Sequence, residues 1–112
     1  MSKIMPSDII PQVRNVLSNA SKGKGTVPCF LTAYQILDRL PSALKETLIH
    51  ERTRGGKGAG VYYGAASLVS DAAEQIPEIE ISYLDTKGLA IQFEQSSINP
   101  GYEVCGLYRL QP

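Results

Sequence analysis

The sequence predicts an α+β fold, a small single domain of three to four helices packed on a three-stranded, mainly antiparallel sheet. Two observations predict it. From about residue 7 to 76, apolar side chains recur at helical spacing in segments bounded by capping residues, glycine or proline. From about residue 78 to 110, apolar and polar side chains alternate, as in strands with one buried face. The 112 residues suffice for one modest core, so residues 1–112 are predicted to form one domain.

Composition and charge exclude several classes of protein. With 43% hydrophobic and 20% charged residues, the chain does not resemble a disordered segment. Its apolar runs are too short to span a bilayer or to form a signal peptide, so we expect no membrane contact and a cytoplasmic location. Eleven basic and eleven acidic residues balance. This balance argues against wholesale attraction to phosphate but leaves room for a local basic patch.

The first helix is predicted to begin at Ser7 and Asp8, which can cap it, and to run to about Asn19. Its predicted apolar face comprises Ile10, Val13, Val16 and Leu17. A basic, glycine-rich loop over residues 21–25 follows. Residues 27–30 are predicted to be extended, as a short edge strand, because Pro28 cannot donate to a sheet ladder.

The best-marked helix start is Thr32. Thr32 and Gln35 have the spacing of a capping box, and Leu31 and Ile36 have that of a hydrophobic staple. Pro41 ends this helix, because a residue before proline is disfavoured in the α region. The sequence therefore predicts a helix over residues 32–40.

Two more helices are predicted. Ser42 is expected to cap a helix over residues 43–52, which buries Leu44, Leu48 and Ile49. After the loop TRGGKGAG, residues 53–60, a fourth helix is predicted over 64–76. Its buried face is predicted to comprise Leu68, Val69, Ala72, Ala73 and Ile76.

A β-hairpin is predicted next, with strands that carry alternating apolar residues: Ile79, Ile81 and Tyr83, then Leu89, Ile91 and Phe93. Residues 85–88 form the predicted turn, in which Gly88 is free to take positive φ. A third strand is predicted over residues 102–110. The fourth helix is expected to cover the apolar face of this sheet.

No group of residues indicates catalysis or a cofactor. The glycine-rich loop lacks the spacing of a phosphate-binding motif. His50 is interpreted as a solvated or helix-capping residue. Cys29 and Cys105 are predicted to be free, buried thiols without metal-ligand spacing. Glu78 and Glu80 are predicted to share a solvated strand face. We therefore expect no enzyme activity, no metal and no cofactor.

Six tyrosines and no tryptophan make an unusual aromatic balance. Tyr62 and Tyr63 follow the glycine-rich loop. They are expected either to pack under the fourth helix or to stack on bases or a partner.

The order of helices followed by a hairpin resembles the winged-helix superfamily over about residues 7–93. That resemblance implies that the fourth helix is a recognition helix and that residues 85–88 are the wing tip. The fourth helix departs from the family's chemistry, since it carries no Lys or Arg. The nucleic-acid-binding residues are therefore predicted outside it, as Lys22, Lys24, Arg52, Arg54, Lys57 and Lys87.

The sequence thus favours a non-catalytic nucleic-acid-binding or regulatory module. The alternative is a protein–protein interaction or adaptor domain without nucleic-acid contact. A continuous basic surface would favour the first, and a wide exposed apolar patch would favour the second.

Overall fold

The computed structural model describes residues 4–23, 25–52, 62–93, 96–98 and 104–111. The helices are a 3-10 turn at Pro6–Ile9 that continues into α1 (Ile10–Ser18), then α2 (Ala33–Arg39), α3 (Ser42–Glu51) and α4 (Tyr63–Glu74). The strands are β1 (Leu31–Thr32), β2 (Ile79–Asp85), β3 (Ile91–Phe93), β4 (Ser96–Ile98) and β5 (Val104–Leu110). The predicted α+β class is confirmed. None of the helices in these ranges is long and apolar enough to cross a membrane.

Helix α2 begins as predicted. The Thr32 hydroxyl accepts a hydrogen bond from the Gln35 amide at 3.2 Å, and the Gln35 side chain accepts one from the Thr32 amide at 2.8 Å. Leu31 and Ile36 are buried on either side of this capping box. The helix ends where Leu40 turns to an extended conformation before Pro41.

Two predicted helix caps differ in the structure. The Asp8 carboxylate accepts from the Met5 amide at 2.8 Å and so closes the 3-10 turn before α1. Ser42 is the first residue of α3 rather than its cap. The carbonyl of Pro41 takes the first helical hydrogen bond, from the Lys45 amide at 2.9 Å. The Ser42 side chain cannot cap α3 because it already lies inside the helix.

The core lies between the helices and one face of the sheet. Every apolar residue predicted on the buried face of α4 is buried: Leu68, Val69, Ala72, Ala73 and Ile76. Of the predicted faces of α1 and α3, Val13, Val16, Leu17 and Leu48 are buried, whereas Ile10, Leu44 and Ile49 are half-buried. The pattern of apolar spacing therefore oriented the helices correctly.

The strand pairing differs from the prediction. The main sheet has the order β1-β5-β2, and both pairings are antiparallel. Strand β2 pairs with β5 along its whole length, so the predicted hairpin between residues 79–83 and 89–93 is wrong. A hairpin is instead formed by β3 and β4 in a separate two-stranded sheet. Gly88 does take positive φ, 76°, but its turn leads from one sheet to the other.

Strand β1 is an edge strand, but it lies later than the extended piece predicted at residues 27–30. It begins at Leu31, and Pro28 makes only an isolated bridge with Lys22. Proline lacks an amide donor, which limits pairing at this point.

The predicted apolar sheet face is only partly covered. Ile79 is half-buried and Ile91 is buried, whereas Ile81 and Leu89 each retain 39% exposure. The buried contribution of the sheet comes instead from β5, whose Tyr108 and Cys105 are 5% and 9% exposed. Helix α4 covers the sheet at Tyr108 and leaves Ile81 and Tyr83 of the neighbouring strand β2 exposed to solvent.

Candidate functional site: a tyrosine-lined pocket

The predicted basic residues do not define a site in the part of the chain that the structure describes. Lys24, Arg54 and Lys57 lie outside the described residues. Lys22 and Lys87 are exposed on connections after α1 and after β2. Arg52, at the end of α3, is half-buried, and its guanidinium donates to the Ile4 carbonyl at 2.8 Å. Arg52 therefore holds the N-terminal segment against α3.

The elements that the winged-helix resemblance would place on nucleic acid also differ from expectation. The exposed residues of α4 include Asp71 and Glu74, and Gln75 follows them. Ser67 and Ser70 of the same helix are half-buried. The predicted wing tip at residues 85–88 is a turn closed by the Lys87 amide, which donates to the Asp85 carboxylate at 3.0 Å. That turn does not join two paired strands.

Two glutamates predicted to be solvated are held in ion pairs. Glu78 pairs with Arg14 of α1. Glu80 accepts two hydrogen bonds from Arg109 of β5, at 2.7 and 3.0 Å, and this contact lowers the pKa of Glu80. Arg109 also lies over the Phe30 ring, 4.3 Å from its centre. Arg14 and Arg109 therefore stabilise contacts within the domain.

The remaining candidate reactive groups lie apart. Cys29 and Cys105 are both free, but only Cys105 is buried. The prediction that Cys29 is buried is wrong because Cys29 lies in the exposed connection before β1. Burial raises the pKa of Cys105, which keeps it a neutral thiol. His50 is exposed in the last turn of α3, where the sequence placed it.

A pocket of about 180 Å³ opens where α2, α4 and β5 meet. Its lining residues are Ala33, Tyr34, Tyr63, Ala66, Ser67, Ser70, Val104, Cys105, Gly106 and Tyr108. The four from α4 follow one another at helical spacing, so they form a single stripe along that helix. None of the lining residues in the part of the chain that the structure describes carries a charge. The pocket therefore offers aromatic rings and hydroxyl groups.

The inner wall of this pocket depends on Tyr108. Its hydroxyl hydrogen-bonds to the hydroxyl of Ser70 on α4. The ring lies against Gly106, where an added Cβ would come within 2.7 Å of the Tyr108 hydroxyl. Burial raises the pKa of Tyr108, and the Ser70 hydrogen bond only partly opposes that rise. Tyr108 is therefore a neutral phenol that joins α4 to β5.

The opening of the pocket continues into exposed apolar side chains, here called the rim surface: Ile81, Tyr83 and Val104. Tyr83 lies opposite Gly106 in the sheet, beside the pocket floor, and Ile81 lies opposite Tyr108. Tyr83 is 72% exposed and Val104 is 59% exposed. The alternation in β2 identified Ile81 and Tyr83 as one face but assigned that face to the core. The exposed site was missed for this reason.

The other tyrosines named from the sequence lie against the protein. Tyr62 and Tyr63 are half-buried and pack on the core at the start of α4, which favours the packing interpretation. Tyr63 also lines the pocket.

Comparisons with known proteins do not assign this site. No protein-family model, curated protein or solved structure matches the chain.

Proposed function

We propose that this chain is a non-catalytic protein–protein interaction module, which binds a partner protein at the tyrosine-lined pocket and the rim surface. The observation that carries this proposal is the exposure of Tyr83 and Val104 beside a pocket whose described lining is uncharged and rich in tyrosine. Exposed apolar side chains that adjoin a pocket are typical of contact surfaces, and interface centres are rich in tyrosine and poor in charge.

The described lining residues include no group that could act as a base, which supports a binding role over catalysis. Ser70 and Tyr108 could act as nucleophiles only if a neighbouring group removed a proton. The hydroxyls of Ser70 and Tyr108 bond to each other, and the pKa of Tyr108 is raised. The pocket is thus better suited to hold an uncharged or hydrogen-bonding side chain.

Nucleic-acid binding remains a prediction with less support. It would use exposed Lys22 and Lys87. The exposed acidic residues of α4 would repel phosphates, and Arg14, Arg52 and Arg109 are already engaged within the domain.

The test is quantitative affinity purification with the tagged full chain as bait. We expect one or more proteins to be enriched by the wild type and lost with Val104→Lys, which places a charge at the pocket opening. Met5→Lys is the matched control, because Met5 is also an exposed apolar residue, 55% exposed, but does not line the pocket.

The purified wild-type chain and its two lysine variants should also be titrated with a fluorescent DNA duplex at low salt. Partners retained equally by the two lysine variants would contradict the proposal. Tight, salt-dependent duplex binding that survives Val104→Lys would favour nucleic acid instead.

A further inference from the structure

The outer edge of β2 is open in the part of the chain that the structure describes. Strand β2 lies at the end of the order β1-β5-β2, and no described strand pairs with its outer side. Its seven residues pair with β5 in continuous register, so it has no bulge, and it contains neither lysine nor proline. Natural edge strands are commonly protected by bulges, lysines or prolines. Strand β2 carries charges at Glu80 and Asp85, but Ile81 and Tyr83, whose side chains are exposed, are apolar, and this part of the edge is suited to strand addition.

The hydrogen bonds with β5 show which backbone groups face outward. The Gln111 amide donates to the Glu78 carbonyl at 2.8 Å, which makes Glu78 and Gln111 a hydrogen-bonded pair. Such pairs alternate along an antiparallel ladder, so Glu80 and Ser82 also face β5. The amides and carbonyls of Ile81 and Tyr83 therefore point away from the sheet.

The neighbouring outward amide is already used. Ile79 has the same orientation as Ile81 and Tyr83, and its amide donates to the Ile76 carbonyl at 3.1 Å. This bond confirms the direction of the outward groups. It also limits the groups available for a new strand to those from Ile81 onward.

We propose that the occupant of this edge is a second copy of the chain, which adds its own β2 antiparallel about a twofold axis at Ser82. Ile81 of each copy then lies opposite Tyr83 of the other, and each such pair can exchange both backbone hydrogen bonds. The side chains of the same two residues are exposed. An aromatic residue opposite a β-branched one is a favourable cross-strand pair.

Charge and backbone geometry select this register. With Ser82 on the axis, Glu80 lies opposite Leu84 and Asp85 opposite Ile79, so no like charges face each other. A twofold axis at Tyr83 would also keep like charges apart, but it would pair Tyr83 with itself and place Ile81 opposite Asp85, so the isoleucine–tyrosine pairs would be lost. An axis at Ile81 would require the outward amide of Ile79, which is bonded to Ile76. Of these three registers, only the one at Ser82 pairs Ile81 with Tyr83.

This dimer goes beyond the proposed partner binding, because it uses the backbone edge of β2 rather than the pocket, although the side chains of Ile81 and Tyr83 also belong to the rim surface. Joining two edges creates a continuous sheet with a small interface. Interfaces below about 1,200 Å² of total buried area are typical of weak, transient association. We therefore expect a dimer that dissociates on dilution.

Sedimentation equilibrium of the full chain tests the inference. The weight-average mass of the wild type should rise with concentration from the monomer value toward twice that value. Ile81→Lys should abolish the rise, because lysine protects strand edges. Val104→Lys should retain it, because Val104 lies on the same face but on β5, one strand inward. A wild type that stays monomeric, an Ile81→Lys variant that still dimerises, or a mass above the dimer would each overturn the inference.

Amide hydrogen exchange on the wild type provides a measurement that does not depend on a folded variant. The amides of Ile81 and Tyr83 should become more protected at high concentration, while the core amides of α4 do not change. Equal protection of Ile81 and Tyr83 at all concentrations would overturn the inference. Loss of partner capture by Val104→Lys, with no dimer in any variant, would leave only the proposed function standing.

Discussion

Helix α2 and strand β2 each carry isoleucines, but they place them in opposite environments. Ile36 in α2 has no exposed surface, because α1, α4 and the sheet surround that helix. Ile81 in β2 is 39% exposed and its neighbour Tyr83 is 72% exposed, since the helices cover only one end of the strand. Helix α2 therefore contributes to stability, whereas the exposed part of β2 is available for contacts with other molecules.

The same substitution, isoleucine to alanine, should have very different effects on stability in the two elements. Ile36→Ala should lower the free energy of unfolding by about 3 kcal/mol, because it removes a buried side chain and leaves a cavity. Ile81→Ala should cost less than about 1 kcal/mol, since its side chain is already partly in water. Urea denaturation of the two variants measures both values. Equal losses would show that Ile81 is as buried as Ile36 and would remove the basis of the rim surface.

The next largest loss of stability is expected where α4 packs against α3. A Cβ added at Gly64 would lie 2.4 Å from the Arg52 carbonyl oxygen, a backbone atom that cannot easily move. We expect Gly64→Ala to destabilise by about 2 kcal/mol, although alanine normally favours a helix. Gly23→Ala is the control, because its nearest contact is an ordinary 3.9 Å. A Gly64→Ala variant as stable as the wild type in thermal melts would mean that α3 and α4 separate easily.

The helices could be predicted because their signals are local. Thr32 and Gln35 form the capping box within one turn, and the spacing of the apolar residues in α4 identifies its buried face without reference to other elements. A strand gives a local signal for its existence but not for its partner. The alternation over residues 79–83 located β2 correctly, yet the partner lies beyond the next two strands, in β5.

The pocket could not be predicted because three distant segments build it. Tyr34, Tyr63 and Tyr108 come together only when α2, α4 and β5 pack. Each tyrosine has an amphipathic side chain, but nothing in the sequence indicates that the three share a surface. The rim surface also could not be identified without knowing where the helices lie over the sheet.

A smaller effect is expected at the start of α2. Thr32→Ala should cost about 1 kcal/mol, because the Gln35 amide loses its acceptor. The control is Thr47→Ala, whose hydroxyl donates to the Ala43 carbonyl on the exposed side of α3. It should change stability by no more than about 0.5 kcal/mol. Chemical denaturation compares the two, and equal midpoints would show that the capping box contributes nothing measurable.

The smallest effect on stability is expected from the ion pair between β2 and β5, and the pH dependence of stability tests it. Arg109 lowers the pKa of Glu80 by hydrogen bonding and by its charge. A carboxylate whose pKa is lowered on folding contributes stability above its unfolded pKa, about 4.3, and loses it as pH falls through the folded value.

Glu80→Gln should therefore shift the urea midpoint downward at neutral pH, and the difference from the wild type should narrow toward about pH 3. Glu46→Gln, at an exposed position on α3, serves as the control and should differ little from the wild type at either pH. The pair is partly exposed, so the shift should be small and should weaken in salt. A Glu80→Gln variant identical to the wild type across this range would show that Arg109 does not hold Glu80. Strand β2 would then lack its ion pair with β5. The contrast between a stabilising α2 and an open β2 edge could then no longer be based on the pairing of β2 with β5.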